Sequence, residues 1–185
     1  MSDFTIHTID SAPSDSRPTL EAVKARFGFV PNLLGELAAA PAVVRAYTTL
    51  SELLAQTSLS PVQQQLVLTA VSVSNQCTYC VAAHSAALTR VGLPADQIQA
   101  VREDRPLADG KLEALRRFST TVVERRGHVR QSDMQAFLEA GYRSEQILEV
   151  LLGVTLKTLS NYTNHIAHTP LDRQFAPFAW EAVTT

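Results

Sequence analysis

The chain has 185 residues, with 16 lysines and arginines against 18 aspartates and glutamates, a formal net charge of −2 and a pI near 6.2. That length supports one domain with a real core plus an arm. Basic residues are scattered rather than striped, which excludes an electrostatic footprint for nucleic acid, and no apolar run approaches the ~20 residues of a membrane span. Aromatics are few while Ala, Leu, Val, Gln and Glu are plentiful, and long stretches repeat with a 3.6-residue period, so the fold is expected to be all-α. No signal peptide or other targeting segment is visible, which points to a cytoplasmic protein.

In chain order, residues 1–17 read as an arm on the surface or on a neighbouring subunit, residues 18–170 as a helical domain and residues 171–185 as a tail. A first helix runs from about Thr19 to Gly28, a C′ glycine. Asn32 is placed to cap a second over Leu33–Ala39, and Pro41 opens a third to about Gln56. Phe27, Leu33, Leu34, Leu37, Val44, Tyr47, Leu50, Leu53 and Leu54 are the expected core positions. Ser60-Pro61-Val62-Gln63 is a helix start with a capping box, and that helix reaches Ser74. Asn75-Gln76 breaks it, and the next helix runs on through Ala82, Ala83, Ala86 and Ala87 to Val91. Helices follow over Pro94–Glu103, from Gly110 to about Arg126, and through Ala140 with Ser132 as its cap. Ser144 is expected to cap a last long helix. That helix is apolar at Ile147, Leu148, Leu151, Leu152, Val154, Leu156 and Leu159, so it belongs in the core or at a subunit contact. Beyond it lie Asn161–His168 and a tail with Phe175, Phe178 and Trp180.

The chain's only two cysteines stand three residues apart in Asn75-Gln76-Cys77-Thr78-Tyr79-Cys80-Val81-Ala82-Ala83-His84. On a helix, Cys77, Cys80 and His84 fall within about 60° of arc, and the cysteine Cα atoms sit roughly 5–6 Å apart, within disulfide range. The i,i+4 spacing brings His84 beside Cys80, and the helix start favours a thiolate. The segment therefore reads as a dithiol that can close on itself with a base beside one sulfur. Other readings remain. The sulfurs can be inert core groups, or Cys77, Cys80 and His84 can bind zinc with His128, His165 or His168 as fourth ligand. A structural disulfide fits an intracellular chain poorly.

The run from Leu59-Ser60-Pro61 through His84, with Asn75, Cys77, Tyr79, Cys80 and Ala83, resembles the core of the AhpD-like superfamily. This is the all-helical alkylhydroperoxidase and carboxymuconolactone decarboxylase group. The phrase Asn161-Tyr162-Thr163-Asn164-His165-Ile166-Ala167-His168-Thr169-Pro170-Leu171-Asp172 is similar to its peroxidase-related branch. The resemblance implies a thiol peroxidase or disulfide-cycling oxidoreductase without a prosthetic group. In it Cys80 would be peroxidatic, Cys77 resolving and His84 part of a proton relay. Its partners would be a peroxide, a dithiol reductant and further copies of itself in a homo-oligomer. Where peroxidase members carry a glutamate twelve residues before the first cysteine, this chain has Gln65, an amide that can orient His84 but cannot take a proton. His165 is the candidate to replace the missing acid, with capping of the helix end as the competing account. Tyr79 can donate to a substrate or serve in packing. The alternatives are the decarboxylase chemistry of the family, which relies on polar groups instead of a cysteine pair, and a zinc-bound or redox-inert module.

Overall fold

The computed structural model describes residues 4–182, and these contain nine α-helices and no strand. They are α1 (Arg17–Phe27), α2 (Asn32–Leu37), α3 (Pro41–Ala55), α4 (Pro61–Ser74), α5 (Thr78–Arg90), α6 (Ala95–Arg102), α7 (Gly110–Glu124), α8 (Gln131–Glu139) and α9 (Ser144–Ala167), with single 3-10 turns at Ser14–Ser16 and Ala176–Phe178. No helix among the described residues is long and apolar enough to cross a membrane.

Helix α4 is buried without a break from Leu66 to Ser72 and packs against α5, α6, α7 and α9. Its start follows from local chemistry. The Ser60 hydroxyl accepts from the Gln63 N–H, the Gln63 side chain accepts from the Ser60 N–H, and Pro61 occupies a position that needs no donor. One side of α4 faces the larger core, where Phe118, Phe137 and Tyr142 stack with ring centroids 4.5 and 4.3 Å apart. A second apolar cluster gathers α1, α2 and α3 around the two cysteines through Leu20, Val23, Leu33, Leu34, Leu37 and Val44.

Helix α9 is more exposed than its composition suggests, because Leu148, Leu151, Tyr162 and Ile166 form an outer face in contact with solvent. Its inner face crosses α4 at Gly153, where an added Cβ would come within 2.7 Å of Val67 Cγ1. Val67 is fully buried and cannot swing away. Gly153→Ala is therefore expected to cost about 1–3 kcal/mol through overpacking, read as a lower denaturation midpoint in urea. An unchanged midpoint would show that the two helices separate freely.

Several local expectations change in three dimensions. Asn32 does not cap α2. Its own N–H is held at 3.2 Å by both carboxylate oxygens of Asp172, while its side chain donates to the Pro170 carbonyl. The cap comes from the far end of the chain. Ser132 and Ser144 lie inside their helices, whose N-caps are Arg130 and Arg143. There Asp133 and Gln146, at the third helical positions, accept from the N–H groups of Arg130 and Arg143. Phe27 and Leu53, expected in the core, are 42 % and 47 % exposed. Leu53 falls off the Val44–Tyr47–Leu54 stripe that turns inward, and Phe27 ends its helix with the Arg26 guanidinium over its ring. The arm lies on α2, with the His7 N–H donating to the Gly35 carbonyl, and the tail lies across α5 and α6. Arg102 donates to the Phe178 and Ala179 carbonyls, and Trp180 Nε1 donates to the Arg102 carbonyl.

Candidate active site

The turn between α4 and α5 sets the cysteines in place. Asn75 ends α4, Gln76 takes a left-handed φ of 55°, and the Cys77 N–H returns to the Ser72 carbonyl at 2.9 Å. Cys77 is then the N-cap of α5 and Cys80 its third residue, at the positive end of the helix. Both are free thiols and both are buried.

Helix α9 supplies the polar groups around them. Lys157, Ser160, Asn161 and Asn164 share one face at i, i+3, i+4 and i+7, and all four are buried. Asn161 accepts from Asn75 and donates to Ser72, tying α9 to the turn. Asn164 Nδ2 lies 3.1 Å from Cys80 Sγ and 3.6 Å from Cys77 Sγ, within donor reach of both sulfurs. Lys157 Nζ is 3.3 Å from Cys80 Sγ and 2.9 Å from His84 Nε2, and His84 Nδ1 is 3.0 Å from Gln65 Oε1. An ammonium can only donate, so Nε2 accepts and the imidazole proton sits on Nδ1, donated to Gln65.

This chain of contacts splits the two thiols. Burial opposes a charge on Cys80, but the Cys77 thiol, the Lys157 ammonium and Ser160 outweigh it and hold Cys80 well below the usual thiol range. The Cys77 thiol is pushed up by its hydrogen bond to Cys80 and by burial, so it keeps its proton. The surroundings thus favour the thiolate at Cys80 and the thiol at Cys77. His84 is held well below the ordinary imidazole range by burial and then by the Lys157 charge, and is neutral at pH 7.

The predicted site residues are distributed accordingly. Cys77, Cys80, His84 and Gln65 come together, but His84 reaches Cys80 through Lys157 and not by the direct i,i+4 contact expected. His165 does not replace the missing acid at Cys80. It is exposed, its ring stacks on Tyr162 at 6.4 Å, and it lines a separate cleft of about 360 Å³ that reaches Cys77. Lys157 was missed altogether. Tyr79 is buried, its hydroxyl donates to Asp172, and its ring packs edge-on against Phe175, so it ties the tail to the dithiol segment. Among the described residues no group of three or more His, Cys, Asp or Glu side chains is arranged to hold a metal ion. The Lys157 ammonium occupies the space between Cys80 and His84 that a bridging cation would need.

A cavity of about 480 Å³ runs from exposed Arg26, Glu52 and Arg90 down to Cys80, His84 and Lys157. Phe29, Leu34, Val91 and Phe175 contribute to its largely apolar walls. A small apolar molecule thus has a route to the Cys80 sulfur. Gln65→Glu would place a carboxylate on His84 Nδ1 and favour the protonated imidazole that a proton relay needs. The expected result is a several-fold rise in hydroperoxide turnover, on the scale of modest general acid–base effects. A fall would show that the added charge disturbs the thiolate more than the relay helps.

A helical domain built around a buried, electrostatically divided dithiol is the class that fold and site define. Residues 41–120 match the model of the carboxymuconolactone decarboxylase family. Among solved structures, the chain is similar to a peroxidase-related protein from Ralstonia eutropha JMP134, described as an alkylhydroperoxidase AhpD core (25% identity, 94% of each chain covered, TM-score 0.82). It shares its fold with a peroxidase-related protein from Silicibacter sp. TM1040 (17% identity, 94% and 92% covered, TM-score 0.80). It shares it also with the debrominase Bmp8 in complex with 2,3,4-tribromopyrrole (15% identity, 96% and 97% covered, TM-score 0.79). No curated protein matches the sequence. Residues 41–120 thus resemble the carboxymuconolactone decarboxylase family, and the fold is that of the AhpD core.

Proposed function

We propose that the protein reduces organic hydroperoxides by cycling Cys77 and Cys80 between dithiol and disulfide. The observation that carries this reading is the Cys80 sulfur 3.3 Å from the Lys157 ammonium, a contact that favours the thiolate, at the inner end of an apolar cavity open to the surface. A thiolate is the nucleophilic form of the group. Cys80 attacks the terminal peroxide oxygen and becomes a sulfenic acid as the alcohol leaves. Cys77 then attacks the Cys80 sulfur, water leaves, and a dithiol returns the pair to its reduced state. Asn164 supports both stages. Its Nδ2 faces the sulfurs, and its buried Oδ1, without a hydrogen-bond partner among the described residues, is an acceptor available to the sulfenic acid hydroxyl. The fold shared with peroxidase-related proteins supports the same reading.

The test is to mix the reduced protein with one equivalent of cumene hydroperoxide and count thiols. Loss of both thiols per chain, with an intramolecular disulfide and one equivalent of alcohol, is the expected result. Retention of both thiols in excess hydroperoxide would refute the reading.

A further inference from the structure

Lys157 is 1 % exposed and sits in the middle of the helix stack. The groups that face it are Cys80, Cys77 and His84 from α5 and its N-cap, and Tyr47 from α3. Through His84, α4 adds only the uncharged amide of Gln65. Burial pushes the Tyr47 phenol up, Cys77 keeps its proton and His84 is neutral. Among these groups the Cys80 thiolate is therefore the sole counter-charge at neutral pH. Once the Cys80 sulfur is tied into a disulfide, that charge is gone. A buried ammonium stripped of its partner is strongly unfavourable, and lysine relieves this by releasing a proton.

We propose that Lys157 is a redox-linked proton carrier, an ammonium while Cys80 is a thiolate and a neutral amine while Cys77 and Cys80 are joined, and that its proton goes to the departing oxygen. The role rests on the dithiol cycle proposed above. It touches the reacting sulfur, and so is catalytic. In the first step the Cys80 thiolate forms an S–O bond, the O–O bond breaks, and the leaving alkoxide takes the Nζ proton to give the alcohol and a neutral amine. In the second step the amine takes the Cys77 proton, the Cys77 sulfur forms the S–S bond, the S–O bond breaks, and hydroxide takes that proton to leave as water. Two electrons pass from the sulfurs to the peroxide, and no proton is drawn from solvent. On return, a dithiol supplies two electrons and two protons, one ending on Cys77 and one on Lys157. His84 Nε2 accepts from Nζ whether Lys157 is charged or neutral, which keeps the lone pair of the amine directed away from the imidazole.

The proposal sets the pH dependence of the disulfide's reduction potential. Each proton taken up with the two electrons changes the equilibrium tenfold per pH unit, which is 29.6 mV. If Lys157 reprotonates on reduction, two protons enter and the slope is about 59 mV per pH unit. If Lys157 stays charged throughout, only Cys77 takes a proton and the slope is about 30 mV. The experiment equilibrates the protein with dithiothreitol redox buffers from about pH 6 to 8, a range that leaves ordinary thiols protonated. The oxidised fraction is counted by alkylation, and the thiolate is followed in the reduced protein by ultraviolet absorbance. Wild type is expected to show a thiolate across the range and the steeper slope. Lys157→Arg keeps a cation that does not deprotonate, so its slope should fall to about half that of wild type. A wild-type slope of about 30 mV, or the absence of a thiolate at pH 7, would overturn the proposal. Should the arginine variant not fold, the wild-type slope and thiolate signal decide the matter together. No peroxide enters this measurement, so failure of hydroperoxide turnover would remove the peroxidase reading and leave this result standing.

Discussion

Cys80→Ser is expected to abolish hydroperoxide turnover, a loss of about 10³-fold or more, because a serine hydroxyl in this site has no base able to ionise it and cannot store two electrons. Lys157 is already an acid, and neutral His84 faces it rather than the sulfur. Cys77→Ser should behave differently. Its Cys80 loses the hydrogen bond of the neighbouring thiol but keeps Lys157 at 3.3 Å and Asn164 at 3.1 Å. This variant should consume one equivalent of hydroperoxide and then stall as a sulfenic acid, detected by reaction with dimedone and by mass. Were the two variants to exchange behaviours, the Cys77 sulfur, which lines the second cleft, would be the point of attack.

The part of this site written in local pattern was legible before any coordinates. Ser60 and Gln63 announce the start of α4. The Asn75-Gln76 break places the cysteines at a helix N-terminus, and helical spacing puts His84 on the Cys80 side of α5, although Lys157 bridges the two. Gln65 could be named only through the family resemblance, yet it meets His84. What stayed hidden depends on long-range contact. Asp172 caps a helix 140 residues earlier in the chain, a pairing no local rule encodes. On α9 the run from Ile147 to Leu159 read as packing surface, so the lysine inside it passed unnoticed. The signal was there. A charged residue in the apolar centre of a helix must be paired if that helix is buried. Taking Lys157 as the origin sets the phase to Ser160, Asn161 and Asn164. His165 lies off that face and turns toward solvent one residue after Asn164. Helix α9 also continues through the polar phrase to Ala167, past the end of its apolar run.

Lys157→Met is the substitution that separates catalysis from stability. Methionine keeps most of the apolar stem and removes the cation and its donors to Cys80 and His84. Burial, which already opposes a charge on Cys80, is then opposed mainly by the Cys77 and Asn164 hydrogen bonds. The Cys80 thiol should return to the ordinary range near 8.5 or above, leaving about a few per cent thiolate at pH 7 or less. Alkylation by iodoacetamide and hydroperoxide turnover at pH 7 should both fall by about 30- to 100-fold, and both should recover as the pH rises through the new thiol range. Wild type, mostly ionised already, should stay nearly flat there. The fold should not suffer, because Cys80 can protonate and no bare charge remains in the core. Replacing a buried ion pair by apolar groups is often neutral or stabilising by about 1–4 kcal/mol. The urea midpoint at pH 7 is therefore expected to hold or rise. If the variant loses stability and reactivity together while keeping a low thiol pKa, then Lys157 is a packing element of α9, and the charge that ionises Cys80 comes from the start of α5.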